Sequence, residues 1–394
     1  MIKQRWDIFC KIVDNFGDIG VCWRLARQLQ SEHGLQIRLW IDDLEAAQKI
    51  ISGLNIAKSR QVCDKITILK WPNIDKEAGA DFAQAAEVVI EAFACDLPSA
   101  YLATMAQQKS KWVNLEYLSA EPWVADFHAK PSPQSFLNSA NGLIRYFYFP
   151  GFTEATGGLI REREVAAQIQ NYPDTSFPRK RESILNKNSS WIPAFAGMTE
   201  CKVSENSLKV SLFCYPHAPI HDLLMAMAES NQLINCYIPA SSLLPQIADF
   251  FGEETIDVGD YLSQKNLHVH VLPFLSQADY DALLHDCDIN FVRGEDSWVR
   301  AIWAGKPFIW QPYFQDENTH IKKLIAFLDL FYADSDVKQV VYEAHFAWVA
   351  GQLPNEVWQS YLDNLSTINT FTCQQSKKLA KLDDLAAKLV IILQ

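Results

Sequence analysis

"WDIFCKIVDNFGDIGVCWRLARQL" (Trp6–Leu29) carries the clearest fold signal in this 394-residue chain. The apolar run ending at Val13 reads as a buried strand, and Ile19–Leu29 repeats apolar residues at helical spacing. Strand, tight turn and helix in that order open a doubly wound α/β sheet, in which ligands bind beyond the carboxyl ends of the strands. The turn at 14–20 lies at such an end and carries Asp14, Asn15, Gly17, Asp18 and Gly20. Two acids stand where a phosphate-binding loop would place glycines. The spelling is G-x-x-G rather than G-x-G-x-x-G, and carboxylates would repel a pyrophosphate at the positive end of the helix. Asp42, at the end of the next strand, could serve a ribose, but the loop argues against a nicotinamide or flavin enzyme. Two readings stand. Asp18 caps the helix while Asp14 and Asn15 make an ordinary turn, or the carboxylates accept a proton from a nucleophile or orient it.

The pattern repeats outward from this turn. Strands are expected at DIFCKIV (7–13), LQIRLWI (35–41), ITILKW (66–71), VVIEAF (88–93), WVNLEYLS (112–119) and RYFYFP (145–150), with helical stretches between most of them. Apolar strands alternating with helices predict a parallel sheet covered on both faces. The alternation breaks from about residue 162 to 207, which is polar and aperiodic. Its core, SFPRKRESILNKNSSWIPAFAGMTE (176–200), resembles the translation of a palindromic genomic repeat and reads as an insertion. Arg179, Lys180 and Arg181 would be a basic patch on the alternative reading. Alternation resumes at LKVSLFCY (208–215), LINCYIP (233–239), LHVHVLP (267–273), DINFVRG (288–294) and KPFIWQP (306–312). The expected organisation is a Rossmann-like domain at 1–165, a linker at 166–207, a second Rossmann-like domain at 208–373, and a terminal helix at 374–394 packing back on the first domain. Two such halves facing a cleft, with a helical tail, fit a nucleotide-dependent α/β protein.

Composition narrows the class. The chain is 49% apolar and 21% charged, with material for two cores. A net charge of −12 argues against general nucleic-acid binding and suits a basic protein surface as partner. Nine scattered cysteines without a C-x-x-C pair point to reduced thiols in a cytoplasmic protein and to no zinc site. No signal peptide or membrane-spanning run is legible.

A second informative stretch is INFVRGEDSWVRAIWAGKPFIWQPYFQDEN (289–318). A strand should end at Arg293-Gly294, and Glu295, Asp296 and Ser297 then open a helix that stops at Gly305. Amides at 296–297 can hold an anionic oxygen beside the cation of Arg293, with Gly294 allowing close approach. Glu295 suits a sugar hydroxyl, although capping alone also explains Glu-Asp-Ser. Tyr215 and Phe274 each follow a strand and could flank a base, and Gln277 could bond a pyrimidine edge.

Together DNFGDIGVCWRLARQL (14–29), EAFACDLP (91–98), NLEYLSAE (114–121), GGLIRERE (157–164) and RGEDSWVRAIWAGKPFIWQPYFQDEN (293–318) resemble the arginine rhamnosyltransferases of elongation factor P, the EarP family. The resemblance covers most of the chain, and the insertion near 176–200 is its departure. It implies a GT-B fold and an inverting, metal-independent transfer of rhamnose from the co-substrate dTDP-β-L-rhamnose. The acceptor would be an arginine in a loop of the N-terminal domain of elongation factor P, supporting rescue of ribosomes stalled at proline runs. It implies no separate cofactor, and a monomer is expected. By motif, Asp14 and Asp18 match the family's essential acids, and Arg293, Glu295, Asp296 and Ser297 its diphosphate and sugar motif. Tyr215, Phe274 and Gln277 match thymidine-binding positions. Tyr313 matches a donor-side tyrosine, and Asn15, Phe16 and Gly17 are assigned to the donor side as well.

The implied chemistry suits a carboxylate pair. A guanidinium is protonated at any physiological pH, with a pKa above about 12, and is then a poor nucleophile. A carboxylate can hold its plane and take a proton as nitrogen bonds to the anomeric carbon. Asp18 is assigned as base and Asp14 as orienting group, with the reverse open, and Glu295, counted with them as catalytic, is assigned to rhamnose or ribose hydroxyls. Alternatives are a GT-B transferase with another nucleotide sugar and acceptor, and a non-catalytic partner of elongation factor P.

Overall fold

The computed structural model describes residues 4–14, 16–71, 80–132, 142–172 and 207–394. Asn15 and the 176–200 insertion with its basic triplet lie outside the described residues. The chain divides into two compact units: Met1–Gln168, Phe314–Leu330 and Lys378–Gln394 in the first, Ile169–Tyr313 and Phe331–Lys377 in the second.

The first unit is built on β1 (Arg5–Cys10), β2 (Gln36–Ile41), β3 (Arg60–Cys63), β4 (Ile66–Lys70), β5 (Val88–Ala92), β6 (Lys111–Leu115) and β7 (Arg145–Tyr148). Their order across the sheet is β3-β4-β2-β1-β5-β6-β7. Its helices are α1 (Gly17–His33), α2 (Leu44–Ile50), α3 (Ser99–Gln108), α4 (Val124–Phe127) and most of α5 (Arg163–Gln170). The central strand shows why the run is apolar almost throughout. Trp6, Ile8 and Cys10 face a core shared with Leu25 and Leu29 of α1, while Phe9 faces the other way onto Trp40, Trp71 and Tyr101. Both faces are covered, so a polar alternation would leave unpaired groups inside. Asp7 is the polar exception, fully buried and held bidentately by Arg38 at 2.6 and 2.5 Å. Helix α1 ends at Gly34, whose φ of 68° any other residue would adopt at a cost.

The second unit repeats the plan with β8 (Leu208–Leu212), β9 (Ile234–Pro239), β10 (Tyr261–Gln264), β11 (Leu267–Leu272), β12 (Ile289–Arg293) and β13 (Phe308–Gln311), ordered β10-β11-β9-β8-β12-β13. Around them lie α6 (Ile220–Ala228), α7 (Leu244–Phe251), α8 (Gln277–Asp286) and α9 (Asp296–Ala304). Then come α10 (Thr319–Phe331), α11 (Lys338–Val349), α12 (Asn355–Asp363), α13 (Leu365–Leu379) and α14 (Leu385–Leu393).

Three features depart from the sequence reading. Each sheet is parallel except at one edge, where β3 pairs antiparallel with β4 and β10 with β11. The hairpin turns use left-handed residues, Asp64 and Lys65 at φ 47° and 65° and Lys265 at 52°, and such short polar edges carry little apolar signal. The segment Phe314–Leu330, which the linear boundaries gave to the second domain, groups with the first unit. It does so through contacts such as Phe327 with Phe152, ring centroids 5.7 Å apart. The single terminal helix is two, because Asp384 leaves helical geometry and caps α14 by accepting the Ala387 amide at 3.0 Å. Leu385, Ala386, Leu389 and Leu393 of α14 join the α1 core.

Candidate functional site

All strands of the first sheet except β3 run parallel, so the loops after β1, β2, β5 and β6 share one edge. The acidic turn sits there. Its N-cap position is Phe16, which makes no side-chain capping bond, and Gly17 begins the helix with its amide on Asp14 O at 2.6 Å. Asp18 is therefore inside the first turn, not at the cap where the sequence reading put it. Its carboxylate turns back instead: Oδ2 accepts the amides of Val13 at 2.8 Å and Asp14 at 2.9 Å. Those two N–H groups precede the helix, and the carboxylate they hold lies in its first turn, where the positive end of the helix favours the anion. Asp14 and Asp18 are thus brought together in one loop. A Cβ on Gly17 would lie 2.7 Å from Asp14 Oδ2, so glycine is the residue that lets the Asp14 carboxylate sit over the helix start. Asp42 spends its Oδ1 on the Ile12 and Asp43 amides, at 3.0 and 2.9 Å, tying the ends of β2 and β1 together.

Asp18 is 2% exposed. Burial raises its pKa above the ordinary aspartate value, opposed by the two amides and by the Tyr117 hydroxyl, with Asp42 adding to the rise. A raised carboxylate is a stronger base than a free one. Tyr117 follows β6, and the sequence reading left it inside a strand. Its ring stacks on Phe93 at 4.4 Å and 13°, and Lys323 Nζ of α10 lies 5.4 Å from its centroid. Beside it, burial also raises the pKa of Glu116, which accepts Asn114 Nδ2 at 2.5 Å. The signal for these residues was available: they follow an apolar strand as Asp14 does.

The corresponding edge of the second unit holds the donor-motif residues. β12 ends at Arg293, Gly294 turns at φ 60°, Glu295 occupies the N-cap, and α9 begins at Asp296 and stops at Gly305. Glu295 makes no capping bond; Ser297 closes the turn by accepting the Arg293 amide at 3.0 Å and donating to Arg293 O. The turn is braced by β13, with Trp310 Nε1 on Gly294 O at 2.7 Å and the Gly294 amide on Gln311 O at 3.1 Å. Trp298 stacks on Trp310 at 3.7 Å. The guanidinium of Arg293 is fixed: it donates to Cys214 O at 3.3 Å and lies 4.4 and 4.6 Å from the ring centres of Phe213 and Tyr215. Tyr215 is itself largely covered, its amide on Gln311 Oε1 at 2.7 Å and its ring edge-on to Tyr313 at 5.8 Å. Tyr313 is the exposed member, at 44%. Phe274 is half-buried beyond β11, and buried Gln277 begins α8. That helix is fastened to α9 by Arg300 on Asp281 at 3.0 and 2.7 Å. Gln311, Trp310 and Phe213 were not singled out in the sequence, since their roles depend on strand pairing.

Among the described residues no group of three or more His, Cys, Asp or Glu side chains has a metal-holding arrangement. The acids at 286 and 288 are engaged by Lys209, Nζ on Asp286 at 2.6 Å and its amide on Asp288 at 2.8 Å, before β12 begins. No helix among the described residues is long and apolar enough to cross a membrane.

Residues 6–394 match the family model described as Elongation-Factor P (EF-P) rhamnosyltransferase EarP. A protein-arginine rhamnosyltransferase of Pseudomonas aeruginosa is 39% identical over 391 residues, 98% of this chain and 97% of that protein. One of Pseudomonas putida is 43% identical over 329 residues, 83% of this chain and 81% of that protein. A structure solved to give the structural basis for EarP-mediated arginine glycosylation of translation elongation factor EF-P superposes with a TM-score of 0.66 at 30% identity, covering 99% of this chain and 98% of that one.

Proposed function

This chain belongs to the EarP family of EF-P rhamnosyltransferases, and from that membership we propose that it transfers L-rhamnose from dTDP-β-L-rhamnose to an arginine in a loop of the N-terminal domain of elongation factor P. The product supports the factor's work on ribosomes stalled at proline runs. The two doubly wound halves are a GT-B glycosyltransferase fold.

The observation that carries the mechanism is the Asp14–Asp18 loop. A buried carboxylate with a raised pKa, fixed by two amides, is what an arginine acceptor needs. An Nη of the acceptor forms its bond to the anomeric carbon as the bond from that carbon to the diphosphate oxygen breaks. Asp18 takes the Nη proton, and the electron pair leaves with dTDP. One displacement inverts the anomeric centre. Asp14 orients the guanidine. Positioning supplies much of the rate, up to about 7–11 kcal/mol in well-oriented systems, because a carboxylate remains a weak base toward nitrogen.

The second unit meets the leaving group. The amides opening α9 and the fixed charge of Arg293 stabilise developing negative charge on the diphosphate. Glu295, at the N-cap of α9, holds a sugar or ribose hydroxyl. Tyr215, Phe274 and Gln277 receive the thymine, with Tyr313, edge-on to Tyr215, on the donor side as well.

The test is intact-mass spectrometry of elongation factor P incubated with this protein and dTDP-rhamnose. A gain of one deoxyhexose on arginine is expected; an unchanged mass with either reactant in excess ends the proposal.

A further inference from the structure

Resting on the reading of Asp18 as base, we propose that Tyr117, held in its plane by Phe93, is the positioning residue that fixes the Asp18 carboxylate for the displacement. The starting point is an unusual loop after β5. Phe93, Ala94 and Asp96 all adopt left-handed backbone, at φ 58°, 52° and 57°, and none is glycine. Non-glycine residues held there cost conformational energy and persist only where surrounding structure over-determines them. Here it does. The Phe93 amide bonds Leu115 O at 2.7 Å, the Ala94 amide bonds Asn114 Oδ1 at 2.9 Å, and the Asp96 amide bonds Glu91 Oε1 at 3.0 Å. Glu91 is fully buried and anchored by Arg145 at 3.2 Å and Trp112 at 3.1 Å.

The loop buries Cys95 and Leu97 in the core and places one ring at the sheet edge: Phe93 lies on Tyr117 at 4.4 Å and 13°. A stacked tyrosine has lost the freedom to swing about its own axis. Its hydroxyl, donated to Asp18, therefore has a fixed origin. The carboxylate is then held from two sides, by main-chain amides of its own loop and by a side chain from another. Lys323 of α10 places its ammonium 5.4 Å from the same ring. The groups facing Asp18 are thus the Val13 and Asp14 amides, the Tyr117 hydroxyl, Asp42 beyond β2 and the Cys10 thiol ending β1.

The experiment uses the full chain with elongation factor P and dTDP-rhamnose, measuring kcat against pH, together with dTDP affinity by calorimetry. Tyr117→Phe keeps the ring and removes the donor. It should lower kcat by roughly tenfold and move the acid limb to higher pH, because a bond favouring the ionised carboxylate is gone. The affinity for dTDP should stay unchanged. Phe93→Ala should move kcat and the limb in the same direction, and Phe93→Tyr, which retains a ring to stack, should restore both. A Tyr117→Phe profile whose acid limb stays in place overturns the proposal, whatever its rate. Asp18→Asn separates the two layers. If it still turns over, the base assignment has failed. If it is inactive while Tyr117→Phe behaves as wild type, only the positioning role has.

Discussion

Helices α1 and α9 begin alike in sequence and differently in space. Each follows a parallel strand, each carries acids in its first residues, and each is the place where a phosphate loop would stand in many α/β proteins. At α1 the acid is turned inward. Asp18 accepts two amides from the residues before the helix and a hydroxyl from Tyr117, and is buried. At α9 the closing bonds come from Ser297, a neutral side chain, and Glu295 at the N-cap makes no capping bond. The lesson is that an acid at a helix start has no fixed meaning. Where the carboxylate itself closes the turn, it is desolvated and its pKa is raised. Where a hydroxyl closes the turn, the acid at the N-cap is not what closes it, and the helix end keeps its pull on anions.

The comparison can be broken most severely at Asp18. Asp18→Asn should reduce turnover by about 10²–10⁴-fold while leaving dTDP affinity, which we propose belongs to the other helix start, largely intact. In the unsubstituted protein the base must be ionised, so kcat should fall as pH drops through the raised Asp18 value, placing the acid limb above the ordinary 3.8. A limb at or below that value would contradict a buried base.

A stability contrast comes next in size. Burial lowers the pKa of His345 in the second unit to about 4. The unfolded chain takes up this proton near the ordinary 6.5 and the folded chain resists it. Stability is therefore present above 6.5 and lost as pH falls toward 4, by up to roughly 3 kcal/mol. Urea unfolding at pH 7 and pH 5 should show the loss in the wild type and a smaller one in His345→Leu. An equal loss in both would assign the pH dependence elsewhere.

Ser297→Ala removes both bonds that close the α9 turn. It should cost about 1–3 kcal/mol of stability and weaken dTDP binding, with the acid limb of kcat unmoved. A shifted limb would mean that the two helix starts are not separable. The smallest effect is expected at Gly17→Ala. The new methyl displaces the flexible Asp14 carboxylate 2.7 Å away, so activity should fall a few-fold while the melting temperature holds or rises, alanine being the better helix former. Unchanged activity would show that Asp14 has no orienting role.

Much of this was legible before folding. Strict apolar runs between helical periods gave the doubly wound class, and strand–acid–helix order marked both Asp18 and Glu295. The edge strands β3 and β10 were not legible, because a four-residue polar strand has no period to read. Tyr117 was absorbed into a strand, since NLEYLS continues the β-like composition past Leu115, where pairing stops. The placement of α10 was missed because a linear boundary assumes that a domain is continuous.

The order of residues, then, settled the fold class, the family and which loops carry acids, since these depend on periodicity and on neighbours along the chain. Only the folded chain decided what each acid does. One partner of Asp18 is Tyr117, 99 positions away, and Arg293 is fixed by Cys214 and Tyr215 across the sheet. Protonation and hydrogen bonding are set by burial and by partners distant in sequence, and no local pattern records them.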